Sequence, residues 1–373
     1  MPEGHSIFRL AEQFRAVLGG EIVRASSPQG RFTDGARELD GKRLIGVRTH
    51  GKHLFLQFAP TLVRSEADSI ETLQLTQAEG NHSGEYSAET KSQKARSHDS
   101  IWLHVHLGIY GSWRFTGDEQ FVAPIRGDSE ATGPEIEVTL TESKKTEIIH
   151  EIPAHFQVDD SAWAPHEHFA DRWFLMPGDF DAFEPIGTVR LRLLTSHGAA
   201  DLTGPNRCEL MTWEEVQATE ARLGPDPLAA DDDFEAFVQR AATRKKGIGE
   251  ALMDQAVIAG VGNIYRAEVL YAARLNPFKP AKEVSVKKLR QIWDWLRRFM
   301  PLGVESGRVT TIDREDFAEF VERETAADRE IKPIDERYYV YQRDGRPCLR
   351  CAATIRLEIV ATRKLYWCPR CQR

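Results

Sequence analysis

Apolar residues at Ile7, Phe8, Leu10, Ala11, Phe14, Val17 and Leu18 recur with a helical period, so the chain is expected to open with an amphipathic helix over residues 6–18, N-capped by Ser6. Pro2 and Glu3 then stand just outside a helix N-terminus, where the dipole favours anions. Residues 20–58 alternate as strands do, with 44–48 leading into the turn His50-Gly51-Lys52 and on to a strand at 53–58. The strand pattern returns at 101–106, 112–115 and 190–194. Residues 61–100 are rich in Ser, Glu, Gln and Thr and poor in apolar residues, which reads as a long surface loop or disorder. Residues 126–186 form a second insertion with hydrophobic residues of its own (Trp163, Trp173, Phe174, Phe183), expected to pack locally as an edge hairpin or short helix.

Leu223-Gly224-Pro225-Asp226-Pro227-Leu228 is a Pro/Gly-rich linker and marks a domain boundary. Helices are predicted beyond it at 233–242, 248–257, 263–273 and 282–300, the last with Val286, Leu289, Ile292, Leu296 and Phe299 on one stripe. Residues 303–337 are mostly polar, with one amphipathic stretch at 317–321. The sequence contains no internal repeat.

A chain of 373 residues can bury two or three cores, and 41% hydrophobic with 28% charged residues is ordinary globular composition. It holds no run of eighteen apolar residues and no basic stretch followed by an apolar core at its start, so neither a membrane span nor a signal peptide is expected. Five cysteines, four of them at metal spacing, suit a reducing cytoplasm. The net charge of -8 hides an uneven distribution. Segment 126–186 carries fourteen Asp/Glu against four Lys/Arg, whereas the last 43 residues carry ten Lys/Arg against four Asp/Glu. A basic body with acidic insertions is compatible with phosphate binding, which depends on local potential.

Four motifs carry chemistry. Removing Met1 from Met1-Pro2-Glu3-Gly4-His5 would expose a secondary amine, and an α-amine titrating near ~8 is partly neutral and nucleophilic at cell pH. Glu3 alongside can shuttle protons. Cys348-x2-Cys351, sixteen residues, then Cys368-x2-Cys371 is tetrahedral zinc spacing, on a tip studded with Arg346, Arg350, Arg356, Arg363, Lys364 and Arg370. Ala259-Gly260-Val261-Gly262-Asn263 is a tight turn between helices, with Asn263 expected to cap the second helix and its amides free to hold a phosphate. Lys52, on a hairpin tip, is either a solvated lysine or a phosphate contact and proton relay near the amine.

Taken in order, Met1-Pro2-Glu3-Gly4, Gly51-Lys52, Leu107-Gly108-Ile109-Tyr110-Gly111, Met253-Asp254-Gln255 through Gly262-Asn263-Ile264-Tyr265, and Tyr366-Trp367-Cys368-Pro369-Arg370-Cys371-Gln372 resemble the formamidopyrimidine-DNA glycosylase and endonuclease VIII family, most of all its actinobacterial endonuclease VIII-like branch. The resemblance covers the chain apart from the two insertions. It implies an α+β multidomain fold: an N-terminal helix-flanked β-sandwich (1–222), a helix–two-turn–helix domain (223–330) and a C-terminal zinc-ribbon hairpin (331–373) around one structural zinc. It further implies a bifunctional DNA glycosylase and abasic-site lyase of base excision repair, directed at oxidised pyrimidines and abasic sites in damaged duplex DNA. In that reading Pro2 attacks the sugar C1′, Glu3 acts as general acid/base, and Lys52 contacts phosphate beside the lesion. Asn263 and Arg363 grip the backbone, and Ile109 and Tyr110 fill the void left by the extruded base. The protein is expected to be a cytoplasmic, nucleoid-associated monomer without a small-molecule cofactor.

The chain departs from the family pattern at His5 and Ser6, where a second carboxylate is missing, which leaves proton transfer to Glu3 and His5. Leu202-Thr203-Gly204-Pro205-Asn206-Arg207-Cys208 replaces the family's opposite-base loop. Two competing readings stay open: a lyase confined to abasic or single-stranded DNA, and a non-catalytic DNA-damage binding protein.

Overall fold

The computed structural model describes residues 2–59, 100–118, 121, 171–175 and 184–373. Almost all of the two expected insertions lies outside the described residues.

Helix α1 (Gly4–Leu18) begins earlier than its apolar pattern predicts, and its N-cap is Glu3 rather than Ser6. The Glu3 backbone is extended, and its carbonyl accepts the N–H groups of Ser6 and Ile7 at 3.0 and 3.3 Å. The buried stripe Ile7, Leu10, Ala11, Phe14 and Leu18 lies against two sheets. One is antiparallel, in the order β2 (Arg43–His50), β3 (His53–Ala59), β4 (Ile101–His106), β9 (Arg207–Met211). The other has the order β1 (Arg24–Ser26), β7 (Val189–Leu194), β8 (Gly198–Thr203), β5 (Ser112–Gly117), β6 (Asp171–Leu175). Period-two alternation sends Leu54, Leu56, Phe58, Leu103 and Val105 of the first sheet, and Trp113, Phe115, Leu191, Leu193 and Leu202 of the second, into one shared core. Phe55 and Trp102 face the opposite way and meet Val216 of α3 (Trp213–Arg222), which opens with a Thr212–Glu215 capping box.

One correction falls in this half. Residues 20–58 are not all strand: Ala36 and Leu39, three residues apart, bury one face of a short helix α2 (Thr33–Leu39). Of the second insertion, residues 171–175 form a strand, β6, paired in parallel with β5, and the hairpin or short helix expected there falls otherwise outside the described residues.

The helical half holds α4 (Phe234–Ala242), α5 (Ile248–Ala251), α6 (Asn263–Ala272) and α7 (Val286–Ser306) around a core of Phe237, Val269, Leu289, Trp293 and Leu296. The helix expected at 248–257 stops after Ala251. Asp254 turns its carboxylate onto the Ala256 N–H, a local bond that competes with the helix, and two tight turns follow. Helix α7 starts later than expected because Ser285 caps it, and it runs through Pro301 to Gly307, whose φ of 68° ends it. Residues 303–337 hold a helix, α8 (Arg314–Ala326), whose polar character reflects a single covered face carrying Phe320 and Glu324. The chain ends in the hairpin β10 (Arg356–Val360) and β11 (Arg363–Trp367), joined at Ala361 and Thr362 with φ of 47° and 64°, as a primed two-residue turn requires. No helix among the described residues is long and apolar enough to cross a membrane.

Candidate functional site

The start of the chain is seated on the turn between α5 and α6. The Gly4 N–H donates to the Gly260 carbonyl at 2.8 Å, and the Gly51 N–H of the β2–β3 hairpin donates to Asp226 Oδ2 at 2.7 Å. The His50 Nε2–H donates to the Gly224 carbonyl at 2.8 Å, and the Pro225 carbonyl accepts the Ala259 N–H at 3.0 Å. The linker 223–228 therefore ties the hairpin to the helical turn as well as joining two cores. The approach is so close that a Cβ on Gly4 would stand 2.8 Å from Gly260 Cα, and one on Gly51 would stand 2.8 Å from Gly260 N.

Glu3 is the centre of this junction. It is 1% exposed, and its carboxylate receives three backbone N–H groups: Gly262 at 3.0 Å, Ile264 at 2.8 Å and Tyr265 at 3.4 Å. These are orphan amides of the first turn of α6. The N-cap of α6 is Gly262, not Asn263, and the capping oxygen comes from the opposite end of the sequence. Burial raises the Glu3 carboxyl above its usual range, opposed by the charge of Lys52 and by the amides of Ile264 and Tyr265. Pro2 is buried beside it.

Three cations share the neighbourhood of this one carboxylate. Lys52 is half-buried, and its ammonium is pushed down to about 8 by desolvation, with the positive charges of Arg363 and Arg266 adding to the effect and Glu3 opposing it. Arg266, on α6, is fully buried; desolvation brings it down to about 10. Its Nη2 donates to Asn263 Oδ1 and, at 2.7 Å, to the Lys364 carbonyl of the zinc hairpin. Asn263 and the residue after Arg363 are thus held by one guanidinium. An excess of buried positive charge around a helix N-terminus is a site for an anion.

Sequence reasoning missed Arg266, Glu268 and Tyr271, all on α6. They lie inside a helix, where a polar residue with a distant partner looks like one facing solvent. Glu268 is buried and accepts the N–H groups of Tyr339, Val340 and Tyr341 at 2.8 to 2.9 Å, together with the Thr311 hydroxyl. Also missed was a file of histidines behind Lys52. His104 Nδ1 lies 3.0 Å from Glu209 Oε1, and its Nε2 lies 2.9 Å from His53 Nδ1. The tautomers follow: His104 donates to Glu209 and His53 donates to His104. His53 stacks on His104 at 5.1 Å and tilts against His106 at 4.9 Å. Burial brings His53 down to about 3 and His106 to about 4, so both rings are neutral at cell pH. His5 is likewise buried and brought down to about 3 by desolvation; its Nε2 meets Ser6 Oγ at 3.1 Å and its ring meets Tyr265 edge-on.

Ile109 and Tyr110 occupy the loop after β4, which turns at Gly108 with φ of 70°. Their side chains point out of the core: Tyr110 is 76% exposed and Ile109 38%. The four zinc-spaced cysteines stand at the other end of β11 from Arg363, roughly 16 Å along the strand. Their sulfurs all lie within 4.8 Å of one another, with 3.9 Å between Cys348 and Cys371 and 3.4 Å between Cys351 and Cys368. A tetrahedral zinc with Zn–S bonds of about 2.3 Å separates its sulfurs by about 3.8 Å, so the set fits one structural zinc.

Two family models match the chain: the formamidopyrimidine-DNA glycosylase H2TH domain over residues 223–315, and the zinc finger found in FPG and IleRS over residues 345–373. Endonuclease 8 1 of Mycobacterium bovis is 29% identical over 372 residues, which span 100% of both chains. The formamidopyrimidine-DNA glycosylase of Syntrophotalea carbinolica is 33% identical over 178 residues, covering 46% of this chain and 61% of that one. Among solved structures, Lactococcus lactis formamidopyrimidine-DNA glycosylase bound to abasic-site DNA superimposes with a TM-score of 0.59, covering 100% of this chain and 99% of that one at 17% identity. The Thermus thermophilus MutM (Fpg) protein gives a TM-score of 0.57 at 20% identity, covering 100% of this chain and 98% of that one.

Proposed function

We propose that the chain is a member of the formamidopyrimidine-DNA glycosylase and endonuclease VIII family of base-excision-repair glycosylases, and that it removes oxidised bases, pyrimidines foremost, from duplex DNA and then cuts the strand at the abasic site. The observation that carries this reading is the placement of Glu3. Its carboxylate sits at a helix N-terminus, next to Pro2 in sequence and among Lys52, Arg266 and Arg363.

With Met1 removed, the Pro2 amine attacks C1′, the N-glycosidic bond breaks, and the base leaves with the bonding pair and a proton. The C1′–O4′ bond of the sugar then opens, O4′ taking a proton, and the iminium that results makes C2′ acidic. Loss of that proton expels the 3′ phosphate, and water then releases the amine. A raised, buried carboxyl at Glu3 suits proton delivery at the sugar. Lys52 and Arg363 supply positive charge for the flanking phosphates, and Asn263, oriented by Arg266, supplies an amide. Tyr110, exposed on a turn, is suited to fill the gap in the stack, with Ile109 beside it.

Borohydride trapping on duplexes carrying an abasic site, thymine glycol or 8-oxoguanine tests the reading, with Pro2→Gly and Glu3→Gln alongside. A covalent adduct that Pro2→Gly diminishes is the expected result, fastest on the oxidised pyrimidine. Trapping on the abasic duplex alone would leave a lyase. Lesion binding with no adduct on any duplex would overturn the chemistry and leave a damage-binding protein.

A further inference from the structure

We infer that Tyr271 is an outer-sphere donor to the zinc thiolate Cys348, so that α6, the helix capped by Glu3, is itself part of the metal site. Tyr271 is 1% exposed, and its hydroxyl lies 3.3 Å from Cys348 Sγ. A zinc-bound cysteine carries no proton, so in this pair the tyrosine donates.

The surroundings fix the hydroxyl in place. The Tyr271 ring stacks on Tyr339 with centroids 5.0 Å apart and planes inclined by 24°. The Arg350 guanidinium covers both rings, 5.3 Å from Tyr271 and 4.7 Å from Tyr339. Arg350 is itself held by Asp316 of α8 at 3.0 Å, and Asp316 also accepts the Tyr339 hydroxyl at 2.6 Å. Arg323 of α8 donates to the carbonyls of Leu349 and Cys348 at 2.8 and 3.2 Å.

Four thiolates around one divalent cation leave two negative charges to be balanced in a largely buried place. Arg350 and Arg323 place positive charge beside the knuckle, and Tyr271 supplies a hydrogen bond aimed at a sulfur. Outer partners of this kind change metal affinity by about 10- to 100-fold. The neighbouring helix α8 therefore has a task as well: it positions Tyr339 and Arg350, which hold Tyr271.

The test uses the full-length zinc-loaded protein and the variants Tyr271→Phe and Tyr339→Phe, with zinc release to a coloured chelator as the first readout. Tyr271→Phe removes one oxygen and keeps the ring, and it is expected to release zinc about tenfold faster or more. Tyr339→Phe keeps the ring that stacks on Tyr271, removes only the hydroxyl that Asp316 accepts, touches no sulfur, and is expected to stay near wild type. Cobalt-substituted protein gives the second readout: the thiolate-to-cobalt charge-transfer band should shift in Tyr271→Phe and not in Tyr339→Phe. Wild-type release by Tyr271→Phe, or equal acceleration and equal band shifts in both variants, would overturn the assignment.

Discussion

The Gly262 N–H lies 3.0 Å from Glu3 Oε2, and a Cβ at Gly262 would sit 2.4 Å from the carboxyl carbon of Glu3. The Gly262 backbone is extended (φ −125°, ψ −159°), a conformation alanine adopts freely, so it is the Glu3 side chain, not backbone strain, that stands in the way of a methyl group. Gly262→Ala is therefore expected to displace Glu3 and to lower single-turnover base excision by a factor of about 10²–10⁴, as is expected of Glu3→Gln. Zinc content should not change. Excision at the wild-type rate by Gly262→Ala would disprove the role of this contact.

Lys52 gives the protein a pH signature. Phosphate favours the charged ammonium, so affinity for DNA should be full below pH 8 and should fall as pH rises through about 8. Stability moves the other way. The folded ammonium is depressed from 10.5 to about 8, and the unfolded chain binds the extra proton between those values, so Lys52 costs stability at low pH and that cost fades as pH climbs from about 8 to 10.5. Binding isotherms from pH 7 to 10 check the first statement. Lys52→Arg, which stays charged, should flatten the curve near pH 8.

Arg266 is fully buried and donates to Asn263 Oδ1, to the Lys364 carbonyl and, at 3.4 Å, to the Gly249 carbonyl. Arg266→Met should cost about 2–4 kcal/mol in urea unfolding, because the Lys364 carbonyl and the Asn263 side chain lose their donor. DNA affinity should fall with it even though Arg266 is buried. A stability loss under about 0.5 kcal/mol would mean that the hairpin finds its place without this residue.

Much of this was legible from the sequence, and what escaped it did so for a common reason. The ordered motifs at Pro2-Glu3, Lys52, Asn263 and the four cysteines carry the family resemblance, because each is local: a turn, a spacing, a terminus. The α7 stripe from Leu289 to Leu296 was readable as a period. What could not be read were partners brought together from far along the chain. Asn263 looks like its own helix cap until Glu3, 260 residues before it, supplies the oxygen. Glu268 and Tyr271 read as ordinary helix positions until residues 339–341 and Cys348 arrive. Helix α8 was hidden because only Phe320 and Glu324 are buried along its thirteen residues, too sparse for a convincing stripe.

Tyr110 offers the cleanest separation of function from folding. At 76% exposure its truncation should change stability by less than about 0.5 kcal/mol. Tyr110→Ala should nevertheless slow base excision from duplex DNA, while cleavage of an abasic site in single-stranded DNA, where no stack has to be opened, changes little. Equal loss on both substrates would remove Tyr110 from the role of wedge.

Loss of the metal should be felt at both ends of the molecule. Cys368→Ser, or stripping with a strong chelator, should release the β10–β11 hairpin and with it the Lys364 carbonyl that Arg266 holds. DNA binding should drop, while the two-sheet core keeps its cooperative melt. Calorimetry with metal analysis reads both effects.

The seating of Gly4 against Gly260 has a consequence for the making of the protein. The residues proposed to do the chemistry are made before their cradle, which follows more than 250 residues later in the chain. A nascent chain, or one broken before residue 262, carries the proline and the glutamate but has nothing to hold them. The strand cutting proposed above would thereby be withheld from a copy that stops before residue 262.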